Sequence, residues 1–257
     1  MPKKALSQTR PDFNLVFYIF SFIITCVMRT DALLARFGYC SRREAPRWIR
    51  AGRCAAGERL IQSPAEKVEP ADMLVDGEPV EFPRGLFAAL YKPAGFTCSH
   101  REGGRLVFDL LPARWLRRNP PASMVGRLDK ETTGLLLISD DGAFIHRMTS
   151  PNRHLPKTYE FTTSSPVPKE AVSLFSSGRW KLEGENKPCL PALLHLRGER
   201  SGFLVLREGR YHQVRRMLAS VGAPVLTLKR TAVGPLSLDV LKLAEGEWRP
   251  IDPAIFD

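Results

Sequence analysis

The stretch "GRLDKETTGLLLISDDG", residues 126–142, joins a charged segment to an apolar segment of the length of a strand. The run from Leu135 to Ile138 is apolar without interruption, which is typical of a strand that is buried on both faces. Arg127 and Asp129 come just before this run, and residues 140–142 end it. The sequence therefore predicts a buried strand with a guanidinium and a carboxylate held near its beginning.

The chain has 257 residues and a formal net charge of +11, with a pI near 9.7. This length suggests one large domain or two smaller ones. So large a positive surplus favours a polyanionic partner, of which nucleic acid is the commonest. The five cysteines are scattered and form no C-x-x-C pair, which argues against a zinc site and a disulfide framework. A reducing, cytoplasmic compartment fits this pattern best.

The first 27 residues leave three interpretations open. Basic residues precede the apolar run 13–27, as they do in a secretory signal. The run is short for a membrane span, and no small-x-small cleavage site follows it. We expect residues 1–27 to be an upstream extension, with translation beginning at Met28. An exported or membrane-anchored protein is the alternative.

The rest of the chain divides into two regions. Residues 28–80 are basic and partly helical, and residues 81–85 have the composition of a linker. Residues 86–250 alternate short β-type runs with short helical segments, which predicts an α+β domain built on a largely antiparallel sheet. In this region we expect strands at 86–92, 135–139, 157–163, 190–196, 203–208 and 225–230, and helices at 168–177 and 212–222.

The segment "SRREAPRWIRAGR", residues 41–53, predicts a basic helix. Ser41 and Glu44 have the spacing of a capping box. Five arginines share the segment with a single acidic residue, so we expect it to contact RNA phosphates. These arginines are Arg42, Arg43, Arg47, Arg50 and Arg53.

Asp129 is the first candidate for chemistry. A carboxylate held near arginines stays ionised and can act as a nucleophile or a base. The histidines lack the spacing of metal ligands, and no G-x-S-x-G nucleophile elbow is present. A glycosidase needs two carboxylates across a sugar, and Glu131 is the only near partner of Asp129.

Two further segments carry candidate residues. In "EGRYHQVRRMLASVG", residues 208–222, apolar residues recur at i, i+3, i+4 and i+7 from Val214, which predicts an amphipathic helix. Arg215 then lies on the flank, about 100° from Val214, where it can reach a buried carboxylate, and Arg216 faces solvent or RNA. In "KTYEFTT", residues 157–163, Tyr159 is either a core residue or a stacking platform for a base.

Together these motifs resemble two known families. "RTDALLARFGYCSRREAPRWIRAGRCAAGERL", residues 29–60, looks like the small RNA-binding module named after ribosomal protein S four, although it departs from that pattern at Thr30 and at "CAAGERL". Residues 126–142, "KTY" and "EGRYHQVRRMLASVGAPVLTLKR", together with "LYKPAGFTCS" at 90–99, resemble the pseudouridine synthases of the RsuA branch, which modify ribosomal RNA. The resemblance covers residues 28–250 and implies a mainly antiparallel mixed sheet flanked by helices.

The resemblance also implies roles. Asp129 would attack or assist at C1′ of the target uridine, by a covalent adduct or through a glycal. Tyr159 would stack on the flipped base, Arg215 would keep Asp129 ionised, and Arg127 would enter the RNA where the uridine leaves. No cofactor or metal is required, since the reaction isomerises a base on its own sugar. Further RNA contacts are expected from the C-terminal motif, at Arg210, His212, Gln213 and Arg216.

The implied function is site-specific isomerisation of uridine in ribosomal RNA. "EGRYHQV" and "SPNRHLPKTY" look like the type that acts on 16S rRNA, and an enzyme acting on 23S rRNA is the alternative. A non-catalytic ribosome-assembly factor on the same scaffold is a second alternative, which predicts loss of Asp129, Tyr159 or Arg215. We expect a cytoplasmic monomer that acts on rRNA, with or without an assembling small subunit, and away from membranes.

Overall fold

A computed structural model describes residues 27–99 and 103–257, so the expectations for residues 1–26 lie outside it. The N-terminal region contains two helices and six short strands. Strands β1 and β4 pair with each other, and the other four form a sheet in the order β3-β2-β5-β6. In chain order the elements are β1 (Met28–Arg29), α1 (Thr30–Arg36), α2 (Ala45–Arg50), β2 (Cys54–Ala56), β3 (Arg59–Leu60), β4 (Lys67–Val68), β5 (Met73–Val75) and β6 (Glu78–Pro79).

The predicted capping box precedes α2. The backbone N–H of Ser41 donates to the Glu44 carboxylate at 2.8 Å, and the backbone N–H of Glu44 donates to Ser41 Oγ at 3.3 Å. These reciprocal bonds satisfy donors that a helix start would otherwise leave unpaired. The helix itself begins at Ala45, after a turn, and ends at Arg50, three residues earlier than expected.

The larger region is built on a nine-stranded sheet. Its strand order is β11-β12-β10-β13-β9-β7-β15, with β8 pairing β9 and β14 pairing β13. Its elements are β7 (Phe87–Lys92), α3 (Ala113–Leu116), β8 (Ser123–Val125), β9 (Thr133–Ser139), α4 (Gly142–Thr149), β10 (Lys157–Thr163), α5 (Glu170–Ser176), β11 (Leu193–Gly198), β12 (Ser201–Leu206), α6 (Gln213–Ala219), β13 (Val225–Val233), β14 (Leu236–Ser237), α7 (Leu238–Leu241) and β15 (Trp248–Pro250), with 3-10 turns at Val107–Leu110, Pro151–Arg153 and Pro253–Phe256.

The sheet is mixed but mainly antiparallel, as expected. Within the described residues, β9 and β13 are parallel, with Lys229 opposite Thr133 and Arg230 opposite Gly134. The other strand pairs of this sheet are antiparallel. Six strands lie at or near their predicted positions. Strands β8, β14 and β15 and the short helices α3, α4 and α7 were not predicted.

Strand β9 is buried on both faces, which confirms the prediction from its apolar run. Leu136 and Ile138 pack in one apolar cluster with Trp115. Leu135 and Leu137 point the other way, into a second cluster that includes Phe144 of α4. Since successive side chains of a strand alternate between faces, the uninterrupted run supplies both cores at once.

Helix α4 begins where β9 ends, and one residue explains the change. The Asp141 carboxylate accepts hydrogen bonds from the backbone N–H groups of Ala143 at 2.8 Å and Phe144 at 3.1 Å. This is the N-cap arrangement that aspartate favours. The residues that end the strand therefore also start a helix. The sequence had predicted only the end of the strand at this point.

Arg118 joins the N-terminal region to the larger one. Its side chain is buried, and its Nε donates to the Asp140 carboxylate at 2.7 Å. Its other nitrogens donate to the carbonyls of Glu81 and Phe82, in the segment expected to be a linker. The guanidinium also lies 4.8 Å from the ring centroid of Phe37, just after α1. Segment 81–85 and the N-terminal helices are thus held against the end of β9.

In the part of the chain that the structure describes, no helix is both long and apolar enough to cross a bilayer.

Gly134 is required by the parallel pairing of β9 and β13. Its φ is +113°, and an added Cβ would meet Arg230 O at 2.2 Å and Arg230 N at 2.6 Å. We expect Gly134→Ala to lower the free energy of unfolding by about 2–4 kcal/mol, measured by urea denaturation.

The matched control is Gly142→Ala. Gly142 opens α4, and an added Cβ there would meet nothing within 4 Å. Since alanine favours helices, this variant is expected to be as stable as the parent chain or slightly more so. Equal destabilisation by the two substitutions would contradict the steric explanation.

Candidate active site

Asp129 lies in the loop that leads from β8 into β9, and its side chain is 32% exposed. Arg215 Nε is 3.6 Å from one carboxylate oxygen, and His212 Nε2 is 3.4 Å from the other. The ion pair predicted between Asp129 and Arg215 is therefore present. His212, expected only to contact RNA, is a second neighbour of the same carboxylate.

The packing of α6 and the parallel pairing of β9 with β13 bring α6 close to this loop. Val214 and Met217 of α6 lie in one apolar cluster with Leu228 of β13. Arg230, two residues further along β13, lies opposite Gly134 at the start of β9, the strand that follows the Asp129 loop. Arg215, next to Val214 on α6, contacts Asp129.

Lys92 fixes the loop from below. Its side chain is fully buried, and Nζ donates to the carbonyls of Pro93, Lys130 and Thr132, each at 2.9 Å. Burial lowers the pKa of Lys92. Two of the three carbonyls belong to the residues just after Asp129, so the lysine sets the path of the backbone there. Lys92 belongs to the motif "LYKPAGFTCS", but no role was predicted for its side chain.

Cys98 holds the residue on the other side of Asp129. The backbone N–H of Leu128 donates to Cys98 Sγ at 3.4 Å, and both side chains are buried. Burial raises the pKa of the Cys98 thiol. The residues before and after Asp129 are thus bonded through their backbones, Leu128 to Cys98 and Lys130 to Lys92 of β7. These bonds leave the Asp129 carboxylate little positional freedom.

The loop before α6 is held by a second polar network. The Glu208 carboxylate accepts from Gln213 Nε2 at 2.6 Å and from Arg210 Nε at 3.1 Å, and Gln213 Oε1 accepts from the Arg210 backbone N–H at 2.9 Å. Arg216 Nη1 donates to Glu185 at 2.9 Å and to the carbonyl of Tyr211 at 3.3 Å. Each of these bonds fixes the segment that precedes or begins α6.

This network involves three side chains that were expected to contact RNA. Gln213 is only 4% exposed, and its amide is hydrogen bonded within the protein, so it is not placed to reach RNA. Arg210 and Arg216 are half-buried and form ion pairs with Glu185. Helix periodicity directed Arg216 outward, but the acidic partner comes from a distant part of the chain. These three side chains hold the loop that carries His212.

Tyr159 lies in β10, one strand beyond β13 from β9. It is half-buried and packs against apolar clusters on both sides of its position, opposite Arg230 on β13. Phe161, two residues on, is fully buried, as the strand alternation predicts. Tyr159 therefore borders the core, and its role toward a base stays a prediction.

The basic residues expected to hold RNA fall into two groups. Arg127, Arg43, Arg47 and Arg50 are exposed. Arg42 is exposed too but pairs with Asp31 at 3.2 Å. Arg53 pairs with Asp76 at 2.6 Å and lies over the Trp48 ring at 3.5 Å.

A held carboxylate beside Arg215, on a mixed sheet next to a basic module, is the arrangement that the sequence motifs implied. The model of the RNA pseudouridylate synthase family matches residues 87–220, which is more than half of the chain. The chain belongs to this family and is an RNA pseudouridine synthase, an isomerase that turns uridine in RNA into pseudouridine.

Individual relatives match most of the chain. The chain is 38% identical over 229 residues to ribosomal small subunit pseudouridine synthase A of Escherichia coli strain K12, covering 87% of this chain and 96% of that one. It is 38% identical over 232 residues to the Bacillus subtilis RNA pseudouridine synthase YtzG, covering 87% and 95%. A solved pseudouridylate synthase structure superposes with a TM-score of 0.61 and 32% identity, covering 89% and 97%.

Lys92→Met tests whether the buried ammonium supports the site. Methionine keeps the apolar stem but removes the ammonium donor from three carbonyls. The Lys130 carbonyl still accepts from the Gly95 backbone N–H at 2.9 Å, whereas the carbonyls of Pro93 and Thr132 lose this donor, each at a cost of about 1–3 kcal/mol. We expect the free energy of unfolding to fall by about 2–4 kcal/mol and activity to fall under conditions where the variant is still folded.

Lys130→Met is the matched control, because Lys130 belongs to the same loop and its side chain is exposed. Its unfolding free energy is expected to stay within about 0.5 kcal/mol of the parent value. Near-equal urea midpoints for the two variants would refute the role given to Lys92.

Proposed function

We propose that this enzyme isomerises a specific uridine of 16S rRNA and that Asp129 is its catalytic carboxylate. The observation that carries the proposal is the position of Asp129, which is partly exposed and has Arg215 and His212 against its two oxygens. The substrate assignment is supported by the Escherichia coli relative, whose name specifies the small ribosomal subunit. The motif "EGRYHQV" supports the same choice.

The chemistry requires one bond to break and another to form on the same sugar. The bond between N1 and C1′ breaks, the uracil turns over, C5 bonds to C1′, and the C5 proton is lost while N1 becomes protonated. A carboxylate near C1′ supports either a covalent adduct or proton removal through a glycal. Arg215 balances the negative charge of Asp129, and Tyr159 offers a ring for the extruded base.

RNA binding is proposed for exposed arginines on both regions. Arg127 stands two residues before Asp129, where a cation would contact the phosphates next to the extruded uridine. Arg43, Arg47 and Arg50 are exposed on or beside α2, and a net charge of +11 supports a polyanionic substrate. Phosphate contacts of this kind position an RNA, while its loop shape and base contacts select the site.

The setting of the reaction is also a proposal. We expect a monomer in the cytoplasm, acting on free rRNA or on an assembling small subunit. The four cysteines of the described part are unpaired, in keeping with a reducing compartment. The large apolar side chains exposed there are spread over many elements, in keeping with a monomer.

The direct test is tritium release from 5-tritiated uridine in 16S and 23S transcripts. The parent enzyme is expected to release tritium from 16S rRNA, and Asp129→Asn is expected to abolish release because the neutral amide is a poor nucleophile and base. Glu131→Gln is the control, since it neutralises an exposed carboxylate of the same loop and should retain most activity.

Release from 23S rRNA alone would keep the mechanism and replace the substrate. Full activity of Asp129→Asn would remove Asp129 from its role. If neither free RNA nor partly assembled subunits release tritium while RNA still binds, a non-catalytic assembly factor becomes the better description.

The arginines of the N-terminal region give an independent prediction. Replacing Arg43, Arg47 and Arg50 together by alanine should weaken RNA binding and make it less dependent on salt. The slope of log K against log salt is expected to fall by about 2–3, since each phosphate contact contributes about 0.7–0.9.

The control for this test removes the same charge elsewhere. Arg179, Arg197 and Arg200 are exposed arginines of the larger region outside the motifs. Their triple alanine variant should change the slope by less than half as much. If both triple variants change it equally, the effect belongs to net charge and not to the N-terminal arginines.

A further inference from the structure

Tyr211 is an unusual surface residue. Its side chain is 75% exposed, although tyrosine usually buries much of its ring. The ring is nonetheless ordered against a neighbour, since it stacks on His212 with 3.9 Å between ring centroids and 17° between ring planes. One face of Tyr211 is therefore covered by the imidazole, and the other face is open to solvent.

This stacked pair stands at the edge of the active site. His212 Nε2 is 3.4 Å from Asp129, so a single side chain separates the open ring from the catalytic carboxylate. The other neighbour of Asp129 is Arg215, on the next turn of the same segment. The open face of Tyr211 is therefore placed to contact a group that lies beside the substrate sugar.

The backbone that carries the pair is held in place. His212 has φ 48° and ψ 33°, a left-handed conformation that is uncommon outside glycine, and α6 starts directly after it. Its carbonyl accepts from the Arg216 backbone N–H at 2.9 Å, and the Tyr211 carbonyl accepts from the Arg216 side chain at 3.3 Å. Because the loop is already ordered, binding to the ring costs little further conformational entropy.

The surroundings favour a nucleic acid base as the occupant. Arg127 and Arg215 border the same carboxylate region, and the chain is strongly basic, so a polyanion is attracted there. A flat, exposed aromatic ring among cations is the feature that single-stranded RNA uses, with phosphates on the cations and a base on the ring. An apolar protein partner would need a wider apolar surface than one ring.

We propose that Tyr211 is a stacking platform for the base of a nucleotide next to the target uridine. This inference rests on the proposed function of Asp129. The base on the open face of Tyr211 lies two ring spacings from His212, which is the side chain in contact with Asp129. The target nucleotide must place its C1′ at Asp129, so the base on Tyr211 belongs to a neighbour, and the platform helps to select the site.

The test compares Tyr211→Ala with Tyr211→Phe in the full chain, using the 16S transcript. Loss of the ring is expected to weaken RNA binding and raise KM about tenfold, while kcat changes less than about twofold. Tyr211→Phe keeps the ring and should restore binding to within about twofold of the parent enzyme. Leu193→Ala removes another exposed apolar side chain, on β11, and controls for loss of surface area.

An RNA that lacks one base locates the contact. Once the modified uridine is mapped, RNAs with an abasic nucleotide on either side of it are compared on the parent enzyme and on Tyr211→Ala. One abasic position should weaken binding by the parent about tenfold and have no further effect on Tyr211→Ala. If the abasic nucleotide weakens binding by the same factor in the parent enzyme and in Tyr211→Ala at both positions, Tyr211 does not stack on a neighbouring base.

The outcomes separate this inference from the proposed function. Tritium release by the parent, with equal RNA affinity for Tyr211→Ala, overturns the platform and leaves the isomerase assignment of Asp129 intact. Absence of release from any RNA, with weaker binding by Tyr211→Ala and normal binding by Tyr211→Phe, supports an aromatic RNA contact without the reaction. Equal losses for Tyr211→Ala and Tyr211→Phe also overturn the platform, because stacking does not need the hydroxyl.

Discussion

The three hydrogen bonds of Lys92 Nζ are the constraint on which the active site depends. Burying an ammonium without hydrogen-bond acceptors costs much free energy, and here each acceptor is a backbone carbonyl of a loop. The loop therefore has one path that satisfies the lysine, and Asp129 lies on it. Since Lys92 ends β7, and β7 pairs along the length of β9, the sheet itself fixes the carboxylate. The catalytic carboxylate is thus held by hydrogen bonds from a buried side chain to the main chain, and not by side chains that face the substrate.

A second layer of order comes from the side of α6. The Glu208, Arg210 and Gln213 network holds one segment, and that segment carries both His212 and Tyr211. Asp129, on the loop that Lys92 of β7 supports, consequently faces a second loop that is held independently by acidic side chains. The two supports use different chemistry, so a change in one leaves the other standing. Both loops are therefore ordered before RNA binds, which lowers the conformational entropy lost on binding.

The sequence predicted those features whose cause is local. The apolar run of β9 shows its double burial, and the angle between Val214 and Arg215 on a helix predicts the approach to Asp129. Features that depend on distant partners were missed. The bonds of Gln213 to Glu208 and of Arg216 to Glu185 were not foreseen, because these partners are not helix neighbours. Lys92 was recognised as part of a motif, but its role was not, since its backbone carbonyl partners are common to every residue and leave no mark in a sequence. Helix α4 was missed because it is eight residues long and its cap resembles a strand end.

The contacts of Arg118 hold the N-terminal region away from Asp129 along β9. Arg118 binds Asp140, just past the end of β9, while Asp129 stands just before its beginning. The seven residues of β9 span about 23 Å at about 3.3 Å per residue. The N-terminal helices are held at the far end of this strand through Phe37 and segment 81–85. An RNA that touches the residues beyond this far end and Asp129 together must therefore reach across roughly two nanometres, the length of β9.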